Sequence, residues 1–183
     1  MFVEEQRTQV NGGEVVSLTF ARPEKANALN PEGIGELTER FRALADEDDL
    51  RCAVFSGAGD RAFIGGADIG TLASLTPDSA RDFITSLHHL FLSIRELPVP
   101  VIARINGYCL GAGMELAAAC DIRISSDNAR FGMPEVRVGI PSVVEAALLP
   151  RLIGRGRAAY LVLAGETIDA ETAHNWGFTE RLV

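Results

Sequence analysis

Two apolar periods alternate along the chain. Residues 2–10 and 14–20 read as strands, joined by a hairpin at Asn11-Gly12-Gly13. Asn30-Pro31-Glu32 is a helix start, with a capping side chain and then proline at the first helical position. Ile34, Leu37, Phe41 and Leu44 follow at helical spacing, which predicts an amphipathic helix over 31–47. Cys52 to Phe55 is a short buried strand, followed by a glycine-rich loop through Gly66. Phe83, Ile84, Leu87, Leu90, Phe91 and Ile94 form one stripe, so 79–96 is a helix. Prolines 98 and 100 and the pair Asn106-Gly107 bracket a strand over Val99–Ile105. Further strands are predicted at Asp121–Ser125 and at 178–183, and an extended or looped stretch around Pro134. Ser142 can cap a helix running to about Leu149, and short helices follow at about 157–164 and 169–175. Strand pairs followed by helices, repeated, predict an α/β fold, and 183 residues suit one domain over 1–183.

One stretch departs from both periods. Leu110-Gly111-Ala112-Gly113-Met114-Glu115-Leu116-Ala117-Ala118-Ala119-Cys120 leads from the strand and turn into an alanine-rich helix beginning near Ala112. Backbone N–H groups at a helix start lack intrahelical partners and attract negative charge. Glu115 is the only charged residue in the stretch. Taken alone, it reads first as a surface carboxylate that satisfies the helix dipole.

Composition narrows the function. The chain is 47% hydrophobic and 23% charged, with a net charge of −8 and no basic cluster, so nucleic acid is not an expected partner. No apolar run is long enough to span a membrane. The N-terminus lacks the pattern of a signal peptide, and Cys52, Cys109 and Cys120 resemble reduced core thiols, so a cytoplasmic location is expected. No metal site is expected: Asp46–Asp49 reads as a solvated helix end, and the adjacent His88 and His89 diverge around their helix.

The glycine loop supports two uses. Gly57, Gly59 and Ala62 formally match a dinucleotide fingerprint, which would make the chain an NAD-dependent oxidoreductase. A second flexible loop, Gly65-Gly66-Ala67-Asp68, follows instead of a long helix. It could present the Ala67 N–H to a ligand, and two backbone N–H groups, one from a loop and one from a helix start, are what an oxyanion hole requires.

Four segments together carry a family resemblance. Lys25-Ala26-Asn27-Ala28-Leu29-Asn30, Ala62-Phe63-Ile64-Gly65-Gly66-Ala67-Asp68-Ile69, Asn106 through Leu116, and Phe131-Gly132-Met133-Pro134-Glu135 resemble the crotonase superfamily, the enoyl-CoA hydratase/isomerase family. The resemblance covers nearly the whole chain in the right order. It implies a crotonase-like spiral of repeated ββα units, assembled as a homo-trimer or hexamer, and an acyl-CoA ligand. It implies an oxyanion hole from the N–H groups of Ala67 and Ala112, and catalytic carboxyls at Glu115 and Glu135. Ala26, Asn27, Ala28 and Leu29, together with Ala67, Asp68, Ile69, Gly70 and Ala112, would line the CoA and substrate path. No cofactor is implied beyond the coenzyme A carried in the substrate thioester.

The implied reaction adds water across the double bond of a trans-2-enoyl-CoA, a step of fatty acid metabolism. Negative charge develops on the thioester oxygen, which preorganised N–H donors stabilise by about 3 kcal/mol each. One carboxyl takes a proton from water and an acid supplies one at C2, tasks that two glutamates divide if their environments separate their pKa values.

Two departures from the family pattern keep alternatives open. Ser142-Val143-Val144-Glu145 stands where the hydratases commonly carry a glycine-rich turn, placing bulky residues and a third carboxylate beside the acyl pocket. The chain also ends at Val183, where family members usually continue into a C-terminal helical segment, so it reads as a form lacking that segment. Isomerase or another crotonase reaction, and a catalytically silent acyl-CoA-binding role, are the alternatives.

Overall fold

The computed structural model describes residues 1–183. In chain order the elements are β1 (Val3–Val10), β2 (Gly13–Phe20), α1 (Pro31–Ala45), β3 (Leu50–Gly57), β4 (Ala62–Ile64), α2 (Ile69–Ala73), α3 (Pro77–Arg95), β5 (Val101–Ile105), β6 (Tyr108–Leu110) and α4 (Ala112–Ala119). Then come β7 (Ile122–Ser125), β8 (Arg130–Gly132), α5 (Leu149–Ile153), α6 (Arg155–Ala164), β9 (Thr167–Asp169), α7 (Ala170–Asn175) and β10 (Arg181–Leu182).

Each repeating unit hands one strand to each of two sheets. The larger sheet runs β1-β2-β3-β5-β7-β10, the smaller β4-β6-β8-β9. β3, β5 and β7 lie parallel in the first, with Ala53 opposite Val101 and Ile102 opposite Ile122. Their partners β4, β6 and β8 lie parallel in the second, with Ala62 opposite Tyr108 and Tyr108 opposite Arg130. Parallel neighbours need a crossover, and the helices after β4 and β6 supply it. The result is the spiral of ββα units that the sequence implied.

Local chemistry fixes the helices. The Asn30 carboxamide accepts from Gly33 N at 3.2 Å ahead of Pro31, which starts α1. Thr76 and Ser79 form a reciprocal capping box around Pro77, which starts α3. Ile34, Leu37, Phe41 and Leu44 of α1 are buried with Phe83, Leu87, Leu90, Phe91 and Ile94 of α3. No helix is long and apolar enough to cross a membrane.

α4 differs from both. All eight of its residues are buried, so it has no polar face and occupies the core. Glu115 is therefore an interior carboxyl with 3% exposure, and its reading as a surface carboxylate is corrected.

Other expectations also change. Ser142 caps no helix: residues after Pro141 are irregular, a 3-10 turn covers Ala146–Leu148, and α5 begins only at Leu149. The Ser142 hydroxyl donates instead to Glu135. The fingerprint glycines open no helix, because Gly57 ends β3 and Ala62 begins β4. A Cβ at Gly57 would lie 2.0 Å from Phe63 O, so its lack of a side chain serves strand packing. The dinucleotide reading loses its structural basis.

Candidate active site

The exits of β4, β6 and β8 converge on one cavity of about 210 Å³. Its walls include Gly65, Gly66 and Ala67 after β4, Gly111, Ala112 and Glu115 after β6, and Pro134 and Glu135 after β8. Leu72, Phe83, Ile84 and Leu87, with Ile140, Val143 and Val144, make the rest largely apolar.

The first wall is held by Asn27. Ala26 and Asn27 both adopt left-handed φ, 51° and 54°. The Asn27 carboxamide is buried, donating to Ala58 O at 2.9 Å and Ala62 O at 2.7 Å and accepting from Arg22 N at 2.9 Å. Ala26 O accepts from Gly65 N at 2.9 Å. Leu29, also buried, forms a parallel bridge with Ala67. That bridge uses Leu29 N to Gly66 O and Asp68 N to Leu29 O, so the Ala67 N–H stands outside it. Arg22 ties the two segments together, donating to Ala28 O and to the Asp68 carboxylate.

Asp68 caps α2 through Thr71 N at 3.0 Å. The Thr71 amide, with Arg22 beside it, holds the Asp68 carboxyl below its ordinary range against the effect of burial. Ile69 and Gly70 are exposed beside it. Of the residues assigned to the CoA and substrate path, Ala67, Ile69 and Ala112 line the cavity. The side chains of Asn27 and Leu29 are instead engaged in the interior.

The second wall is the start of α4. Gly111 precedes the helix with φ 52° and ψ −121°, and Ala112 is the first helical residue. Its N–H therefore has no partner within the helix. Ala67, from a loop, and Ala112, from a helix start, thus line the same cavity.

The two glutamates complete it. Glu115 Oε1 accepts from Glu145 N at 3.0 Å and Ala146 N at 2.8 Å. Burial pushes the Glu115 carboxyl up to about 7; the charge of Glu135 adds to the effect, and the two amide bonds oppose it. Glu135 lies in the 3-10 turn Pro134–Val138. Its Oε2 accepts from the Ser142 hydroxyl at 3.1 Å, and burial raises its pKa against that bond and its own amide. Arg137, near in sequence, pairs with Glu166 at 2.8 Å and leaves Glu135 without an ion-pair partner.

One relationship was not evident from the sequence. Glu145 is neither a surface carboxylate nor part of the cavity wall. Its side chain turns to α3, with Oε1 3.0 Å from His88 Nδ1 and Oε2 3.7 Å from Arg95 Nη1. His88 and Arg95 are seven residues apart and so share one helical face, but nothing in that spacing points to residue 145.

The chain matches the profile of the family described as "Enoyl-CoA hydratase/isomerase" over residues 11–183. It is 38% identical over 167 residues to a crotonyl-CoA hydratase of Syntrophomonas wolfei, covering 91% of this chain and 64% of that protein. It is 36% identical over 172 residues to a short-chain-enoyl-CoA hydratase of Clostridium acetobutylicum, covering 93% and 66%. A crystal structure of an enoyl-CoA hydratase from Bacillus anthracis superimposes with a TM-score of 0.95 at 33% identity, over 100% of this chain and 70% of that one. One from Thermoplasma volcanium gives 0.92 at 38%, over 100% and 72%. The α/β spiral is therefore the crotonase fold. The chain belongs to the enoyl-CoA hydratase/isomerase family. It spans slightly under two thirds of the length of these two curated relatives.

Proposed function

We propose that the protein hydrates a trans-2-enoyl-CoA to the 3-hydroxyacyl-CoA. The observation that carries this reading is that a buried carboxyl, Glu115, and a half-buried one, Glu135, line one largely apolar cavity together with Ala67 and Ala112. The thioester oxygen sits between the N–H groups of Ala67 and Ala112, where the enolate charge develops, and the dipole of α4 adds to their effect. Water is held between Glu115 and Glu135. One carboxylate takes its proton as oxygen adds to C3, and the protonated carboxyl delivers a proton to C2. A Glu115 pKa of about 7 makes both of its protonation states accessible at neutral pH, which suits a group that must exchange protons in each turnover.

Coenzyme A arrives as part of the substrate, and this chemistry transfers no electrons. The CoA portion passes along Ala26–Leu29 and Ala67–Gly70, and the acyl chain lies against Phe83, Ile84, Leu87 and Val144. The similarity to enoyl-CoA hydratases over more than nine tenths of the chain supports the reading. A homo-trimer or hexamer belongs to the same proposal.

The test follows loss of the conjugated-thioester absorbance with short trans-2-enoyl-CoA substrates. Glu115→Gln and Glu135→Gln are each expected to lower kcat by roughly 100-fold or more while acyl-CoA binding persists. Conversion of 2,3- to 3,4-unsaturated thioesters without hydration would assign an isomerase instead. Binding of acyl-CoA with neither reaction would assign a silent binding protein.

A further inference from the structure

We infer that Glu145 is a positioning residue for Glu115: anchored to α3 by His88 and Arg95, it holds the two amides that fix one oxygen of the Glu115 carboxyl. The inference rests on the proposed role of Glu115 and extends it to three residues outside the cavity.

Residue 145 connects two structures. Val143 and Val144 line the cavity, and the 3-10 turn Ala146–Leu148 follows Glu145. No regular element precedes it, because residues 141–143 are irregular and 144–145 form only a bend. Something other than a ladder or helix must therefore fix the direction of the Glu145 and Ala146 amides. The Glu145 carboxylate supplies it. Its side chain is 8% exposed, and its polar partners are His88 at 3.0 Å and Arg95 at 3.7 Å.

α3 is a firm base for this anchor. It is 19 residues long, capped at its start, and packed through Phe83, Leu87, Leu90, Phe91 and Ile94. His88 and Arg95 lie two turns apart on it, so they grip the carboxylate from successive positions of one face. The Glu145 backbone N–H is then directed at Glu115 Oε1, 3.0 Å away, and Ala146 N follows at 2.8 Å.

The consequence for Glu115 is specific. With Oε1 occupied by two donors, a proton on this carboxyl is confined to Oε2. The same two bonds oppose the upward push from burial and from Glu135, so loosening them raises the pKa of Glu115. The charged or titratable groups facing this centre are Glu135 and Glu145 around Glu115, and His88 and Arg95 around Glu145.

The experiment compares Glu145→Gln with Glu145→Ala. Both remove the charge, but only glutamine retains an acceptor for His88, so their difference isolates the anchor. The Glu115 carboxyl is titrated by NMR in protein carrying carbonyl-labelled glutamate, its resonance assigned by its loss in Glu115→Gln. The expected result is a higher titration midpoint in Glu145→Ala than in Glu145→Gln, with kcat for a short enoyl-CoA about 3- to 10-fold lower and KM unchanged within about twofold. His88→Ala is expected to lower kcat in the wild-type background and to have no further effect in Glu145→Ala. Because His88 is half-exposed, that variant carries the comparison if Glu145→Ala unfolds: its Glu115 midpoint must then exceed the wild-type value.

Coincident midpoints and equal kcat values in the two Glu145 variants, or a wild-type midpoint in His88→Ala, overturn the inference. Full turnover by Glu115→Gln instead removes Glu115 from the mechanism, and the titration still decides whether Glu145 positions its donors.

Discussion

A Cβ added at Gly111 would stand 2.6 Å from Glu135 Oε1. The residue that precedes α4 and the carboxyl that follows β8 therefore share one small volume, and the absence of a side chain at 111 gives Glu135 its place.

Gly111→Ala separates activity from stability. The atom met by the new methyl is the far end of a flexible side chain, so the clash is relieved by moving the carboxylate. The remaining cost is the backbone conformation, φ 52° with ψ −121°, at about 1–3 kcal/mol. A loss of that size in urea denaturation is expected, alongside a fall in kcat of at least about 100-fold from the displaced carboxyl. Wild-type kcat in a folded Gly111→Ala protein would show that the position of Glu135 is unimportant.

Glu115 makes stability depend on pH. Its carboxyl ionises near 4.5 in the unfolded chain and at about 7 in the folded one. Below pH 4.5 both states hold the proton and there is no penalty; the penalty grows as pH rises and is complete above 7. The difference corresponds to about 3 kcal/mol lost between pH 4.5 and 8. Urea denaturation across that range should show Glu115→Gln losing less stability with rising pH than the parent. Parallel pH dependences would contradict a raised pKa at this site.

Asn27 has a structural task that the motif alone does not reveal. Asn27→Ala leaves Arg22 N–H, Ala58 O and Ala62 O unpaired in the interior, at about 2–4 kcal/mol. Asn27→Asp is expected to be worse, because a carboxylate oxygen would face two carbonyl oxygens. A shift in the urea midpoint checks this. A stable Asn27→Ala with weakened CoA binding would return the residue to a direct contact with ligand.

The repeated strand–strand–helix order, both capped amphipathic helices and the buried strands were legible because each rests on local periodicity. Ile34 through Leu44 and Phe83 through Ile94 announce their faces without reference to the rest of the chain. The stretch at Ser142 misled because a capping residue was present, while the element it could cap was not. Its hydroxyl is drawn to Glu135, a contact seven residues back that no helical pattern encodes. Glu115 was similarly ambiguous. A first-turn acid reads alike at a surface and in a core, and only the packing of α4 on every side decides between them. The His88–Glu145 contact spans 57 residues, beyond what spacing can signal.

Ala67, Ala112 and Glu135 each follow a strand of the smaller sheet, and β4, β6 and β8 are successive neighbours in it. The pitch of hydrogen-bonded strands, about 4.8 Å, thus acts as the ruler of the site. Each rung leads into its own part of the cavity wall, and the ladder keeps the rungs at fixed separation whatever the exit loops contain. A change of reaction within such a scaffold requires editing a single rung, while the spacing between the remaining groups is inherited unchanged.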